Sequence, residues 1–86
     1  MIITNNKKLD IPFAEQVAIF LRYTLEERGI TQSQFAEKVG YSERHIRRWL
    51  NGEIKRLENI DDISKALNVD VRDIVSFGND IPDSLL

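Results

Sequence analysis

Between Glu43 and Arg48 the chain reads Glu-Arg-His-Ile-Arg-Arg, which places three guanidinium groups, a carboxylate and an imidazole within six residues. The arginine fork matches guanine O6 and N7, and a glutamate accepts from cytosine N4. An α-helix fits the major groove, where each base pair shows its own donor and acceptor pattern. On a helix Arg44 and Arg48 stand at i and i+4 and project on one face. Arg47 flanks that face and suits a phosphate better than a base edge, and His45 suits a solvated or phosphate-adjacent place. With one histidine and no cysteine in the chain, no metal site is built on His45.

The elements that must position these groups run from Ile30 to Gly52, ITQSQFAEKVGYSERHIRRWLNG. Thr31 as N-cap and Gln34 three residues on form a reciprocal capping pair. Phe35, Ala36 and Val39 follow at one-face helical spacing, so a helix is expected over about 32–39. Gly40 supplies the left-handed residue that ends it. Ser42 caps a second helix over about 43–50, with Ile46, Trp49 and Leu50 on its inner stripe and the charged groups outside. Gly52 after Asn51 stops it.

The order T-Q-x-x-F-A-x-x-x-G-Y-S-x-x-x-I-x-x-W-x-x-G resembles the helix-turn-helix of the lambda-repressor-like family, the Cro and Xre-type regulators. The resemblance extends from about Phe13 to Phe77. It implies an all-α fold, a compact bundle of about five helices, and a sequence-specific DNA-binding regulator of transcription; repression is the expected outcome because occupying a promoter is enough for it. It implies that the first two positions after the N-cap and the position one turn on face base edges, here Glu43, Arg44 and Arg48. It also implies that Gln32, just inside the first of the two helices, meets the DNA backbone. Thr31, Ser33, Ser42, Arg47, Asn51, Lys55 and Arg56 are the further candidates for backbone contact, supplying hydroxyls, an amide and cations around the two helices. One departure concerns Leu50, where family members commonly carry an acidic residue, so an ion pair with the first helix that some relatives use is not available.

The remaining chain reads as support. Residues 1–10 lack helical period and are expected to form an extended arm. Pro12 suits a first helical turn, and a helix is expected over about 13–28 with Phe13, Val17, Ala18, Leu21 and Leu25 inward and Gly29 at its close. Ile19, Phe20 and Tyr23 fall off that stripe, through packing on a terminal segment or through a subunit interface. Asn59 and Asp62 read as a capping pair for a fourth helix carrying Ile60, Ile63, Ala66 and Leu67, ended by a left-handed Asn68. Asp70 caps a fifth with Val71, Ile74 and Val75 inward and Phe77 near its end. Turn residues from Gly78 to Pro82 mark the expected end of the domain at 11–78, leaving 79–86 as a tail.

Composition bounds the rest. Eighty-six residues, 42% apolar and 30% charged, suit one compact globular domain. The N-terminus MIITNNKKLD lacks a signal-peptide apolar region, no apolar run approaches a membrane span, and the absence of cysteine fits a reducing compartment, so a cytoplasmic chain is expected. The net charge of −2 hides a segregation: residues 43–56 carry five Lys/Arg against two Asp/Glu, and residues 57–86 carry two against seven. A basic face beside an acidic third fits an oriented DNA-binding surface. No Ser/His/Asp set and no Gly-rich phosphate loop appear, and the pairs Glu26-Glu27 and Asp61-Asp62 point in different directions on a helix, so neither an enzyme nor a cofactor is expected. The expected partner is double-stranded DNA, bound as a homodimer. The competing reading is a protein-interaction module, such as an antitoxin, using the first helix and the acidic C-terminal third.

Overall fold

The structure, a computed structural model, describes residues 11–86; the expected arm over residues 1–10 lies outside the described residues. Helices α1 (Phe13–Arg28), α2 (Gln32–Val39), α3 (Glu43–Leu50), α4 (Leu57–Leu67) and α5 (Val71–Asn79) precede a short 3₁₀ turn, Asp83–Leu85. Among the described residues there is no strand, and the all-α bundle of five helices is as expected. α1 packs on α3 and α5, α2 on α3 and α4, and α4 on α5. The core between them gathers Val17, Leu21, Phe35, Ile46, Trp49, Ile63, Leu67 and Ile74, each at most 1% exposed.

The local signals place the helices that matter most. Thr31 Oγ1 accepts the Gln34 N–H at 3.0 Å, and Gln34 Oε1 accepts the Thr31 N–H at 2.9 Å, so the capping box that starts α2 is complete. Gly40 closes α2 at φ 83° and its N–H donates to the Ala36 carbonyl. An L side chain there would be strained in the left-handed region although nothing lies within 4 Å of an added Cβ. Asn68, in the same region at φ 55°, ends α4.

Three expectations are corrected by packing. α4 starts at Leu57 with Arg56 at its N-cap and no side-chain cap. Asn59 and Asp62 therefore lie inside the helix, where Asn59 is buried and both serve Tyr41. In α5 only Ile74 of the expected inward set is buried, with Val71 and Val75 on the flank at 38% and 41% exposure. Phe13, expected on the α1 stripe, is the first residue of the helix and is exposed. Two of the off-stripe groups of α1 find a partner in α5: Phe77 meets the Phe20 ring edge-on at 5.3 Å and stacks on Tyr23 at 5.7 Å, which is packing on the C-terminal segment.

Gly78, expected to open the terminal turn, is a buried residue of α5. A Cβ there would displace the amide end of the Gln16 side chain of α1. Beyond it Ile81 is completely buried.

The start of α5 gives a prediction about stability and pH. Asp70 Oδ1 accepts the Arg72 N–H at 2.9 Å, Asp73 Oδ2 accepts the Asp70 N–H at 3.1 Å, and the Arg72 guanidinium lies 3.0 Å from Asp70 Oδ2. The Arg72 side chain first, and then the Arg72 N–H, hold the Asp70 carboxyl below its ordinary pKa. A depressed carboxyl contributes stability above its unfolded-state pKa and loses it as pH falls through the folded-state value. Asp70→Ala is expected to lower the melting temperature by roughly 4 °C at pH 7, and the gap to the parent should close on acidification through and below the usual carboxylate range. Thermal melts from pH 7 to pH 2 read both effects; a gap that does not depend on pH would contradict the assignment.

Candidate nucleic-acid interface

α3 is held by its inner face and by both ends. Ile46, Trp49 and Leu50 are 0%, 1% and 8% exposed. At the N-terminus Ser42 Oγ accepts the His45 N–H at 3.2 Å, the cap expected from sequence. At the C-terminus the Gly52 N–H donates to the Trp49 carbonyl at 3.0 Å. Arg22 of α1 donates to the Leu50 carbonyl and, at 3.3 Å, to Glu15 Oε1. The missing acidic side chain at Leu50 thus leaves the tie between α1 and α3 in place, with a main-chain carbonyl as the acceptor. Cations near a helix C-terminus also oppose its partial negative charge.

With three apolar groups turned inward, the opposite face of α3 carries the chemistry. Glu43, Arg44, Arg47 and Arg48 are all exposed, and the i, i+4 spacing sets Arg44 and Arg48 one turn apart on that face. His45 is half-buried: its ring stacks on Tyr41 at 4.8 Å and meets Trp49 edge-on at 5.8 Å.

Two clefts flank this face. One joins Arg48 to Lys55 and Arg56 along a wall formed by His45, Trp49, Glu53 and Asn59. Arg56 there lies 3.1 Å from Glu58 in an exposed ion pair, a weak contact that a phosphate can replace. The other brings Thr31 and Gln32, at the N-terminus of α2, together with Asn51 at the end of α3. The α2 terminus adds its positive end to that cleft. Ser33, Ser42, Glu43, Arg44 and Arg47 line neither cleft and face solvent.

Sequence reading missed the residue that joins these parts. Tyr41 sits immediately before the α3 cap, with its ring edge-on to Trp49 at 5.0 Å and its O–H donating to Asp62 Oδ2 at 2.9 Å. Asn59 Nδ2 donates back to the phenol oxygen at 3.4 Å. The bond to Asp62, then burial, pushes the Tyr41 phenol above its usual pKa. A signal was present in the sequence, since Tyr41 is a large amphipathic group between two caps, but its partners lie a helix away and carry no local mark.

A family model described as helix-turn-helix matches residues 21–74. The chain belongs to the helix-turn-helix family. This is the Cro/C1-type family of DNA-binding transcriptional regulators, in agreement with the resemblance read from Thr31 to Gly52. The matched span runs from Leu21 in α1 to Ile74 in α5 and contains both clefts and the whole of α3. No curated protein and no solved structure matches the chain. Among the described residues, no helix of this helix-turn-helix protein is long and apolar enough to cross a membrane.

Proposed function

We propose that this helix-turn-helix protein is a cytoplasmic repressor that reads a pseudo-palindromic operator as a homodimer, laying α3 of each subunit in the major groove. The observation that carries the reading is the exposed pair Arg44 and Arg48, one turn apart on a helix whose other face is locked into the core by Ile46, Trp49 and Leu50. A rigid helix with two guanidinium forks on one face suits guanine recognition, and Glu43 in the first turn suits cytosine N4. Thr31, Gln32 and Asn51 on one side and Lys55 and Arg56 on the other contact phosphates and set the register, assisted by Ser33, Ser42 and Arg47. Each base pair adds only about 1–3 kcal/mol of discrimination, so one half-site is a poor address and a two-fold pair of subunits is expected. Occupying a promoter is enough for repression.

The charge distribution along the chain, five Lys/Arg against two Asp/Glu over residues 43–56 and two against seven over residues 57–86, supports an approach with the basic stretch toward DNA. Lys55→Ala is expected to weaken binding to specific and unrelated duplexes alike and to flatten the slope of log K against log salt by about one unit per lost contact. Titrations at four salt concentrations measure it; an unchanged slope would remove Lys55 from the contact set.

Selection from a randomised duplex pool tests the proposal as a whole. A motif of two inverted half-sites, with centres about 10–10.5 base pairs apart or a multiple of that, is expected. Salt-sensitive retention without any enriched motif would count against operator reading and in favour of a protein partner.

A further inference from the structure

Tyr41 touches three helices at once. Its N–H donates to the Ala36 carbonyl of α2 at 3.1 Å. Its ring packs on His45 and Trp49 of α3, at 4.8 and 5.0 Å. Its O–H reaches Asp62 of α4 at 2.9 Å, and Asn59 of α4 donates to it at 3.4 Å. The residue that follows is Ser42, the cap from which α3 starts. A bidentate guanidinium contact needs its donor placed to within about 0.5 Å and 10–20°. A small roll of α3 about its own axis would carry Arg44 and Arg48 off a base edge while leaving phosphate attraction almost unaltered.

We propose that Tyr41 and Asp62 are positioning residues for base reading, the O–H···carboxylate bond between them fixing the angle at which α3 leaves the turn. This rests on the operator-reading function proposed above and names two residues outside the expected contact set that determine specificity. Tyr41 and Asp62 are both half-buried, so the bond between them is sheltered from solvent on one side; removing the hydroxyl also takes the acceptor from the buried Asn59 amide, whereas changing Asp62 leaves that contact in place. The phenol, held protonated by that same bond, remains a donor throughout the neutral range. Removing the hydroxyl alone leaves the ring stacked on His45 and Trp49, which separates orientation from packing.

The test compares the parent, Tyr41→Phe, Asp62→Ala, Asp62→Asn and the Tyr41→Phe, Asp62→Ala double variant, each bound to the duplex selected by the parent and to an unrelated duplex. Tyr41→Phe is expected to lose about tenfold in affinity for the selected duplex, with affinity for the unrelated one and the salt slope unchanged and the melting temperature lower by about 4–8 °C, the cost of the lost hydrogen bonding. Asp62→Ala should match it, the double variant should be no worse than either single change, and Asp62→Asn, which keeps an acceptor oxygen, should recover most of the loss. Equal affinity of Tyr41→Phe and the parent for the selected duplex would overturn the proposal. So would a loss shared equally by both duplexes, or additive losses in the double variant. A parent that selects no duplex at all would fail the operator-reading function itself, a different result from a selective parent whose Tyr41→Phe variant is equally selective.

Discussion

Replacing Arg44 and Arg48 together with alanine is expected to erase most of the difference in affinity between the operator duplex and an unrelated one, with the fold intact. Both side chains are exposed, and no core contact depends on them. Alanine is at least as good a helix former as arginine, so the melting temperature should move little, the small cost being a weaker cation term in the last turn of α3. The binding loss is another matter. A bidentate arginine–guanine pair discriminates by about 1–3 kcal/mol, so the double change should cost roughly 2–6 kcal/mol per half-site where the two act independently. Binding to unrelated DNA should fall only by the phosphate attraction of two lost charges, which added salt screens. Competition titrations with both duplexes, followed by fluorescence anisotropy, report the two losses separately. Equal losses on the two duplexes would mean that the arginines attract DNA without reading it.

The second large effect is expected at Trp49, where fold and site meet. Its side chain is 1% exposed, its ring lies edge-on to both Tyr41 and His45, and it forms part of the cleft wall beside Arg48. Deleting a buried tryptophan side chain costs about 3–5 kcal/mol, through lost transfer energy and the cavity left behind. A domain of 86 residues has a total stability of only roughly 4–13 kcal/mol. Trp49→Ala should therefore lower the melting temperature by at least about 12 °C and leave a measurable unfolded fraction at 37 °C. Trp49→Phe, which keeps a ring against Tyr41, should recover part of the loss. DNA binding of the alanine variant should be lost in proportion to unfolding, and further in the folded fraction because the inner stripe of α3 no longer fixes its face. Circular dichroism melts with and without DNA check this; a variant as stable as the parent would remove Trp49 from the keystone role.

The parts legible in sequence were those whose causes are local. The Thr31–Gln34 box and the left-handed Gly40 depend on backbone groups within a few residues, and both stand in the structure as read. The helical period divided α3 into Ile46, Trp49 and Leu50 inside and Glu43, Arg44, His45, Arg47 and Arg48 outside, and that division holds except at His45, which is half-buried against the Tyr41 and Trp49 rings. What escaped depends on where one helix lies against another. Asn59 and Asp62 had the right spacing for a cap, but α4 already starts at Leu57, which puts both in the body of the helix, where their partner is Tyr41 of the turn between α2 and α3. Val71 and Val75 had the right period for a core, yet α5 turns Ile74 and the small Gly78 toward the bundle and leaves the valines on a flank. The candidate site shows the same division. Arg44 and Arg48 sharing a face follows from helix geometry, while the grouping of Lys55 and Arg56 with Arg48, and of Asn51 with Thr31 and Gln32, emerges only once α3 is set against α1 and α2 and the segment after it has turned back into α4.

Base reading by α3 is tested most directly by repeating the duplex selection with three single variants, Glu43→Ala, Arg44→Ala and Arg48→Ala, beside the parent. Each variant is expected to enrich the parent motif with preference relaxed at one position of each half-site, a different position for each residue, and the relaxed positions of the arginine variants should be guanines in the parent motif. Variants that all return the parent motif unchanged, with affinity merely scaled down, would contradict base reading and leave α3 as an electrostatic contact alone.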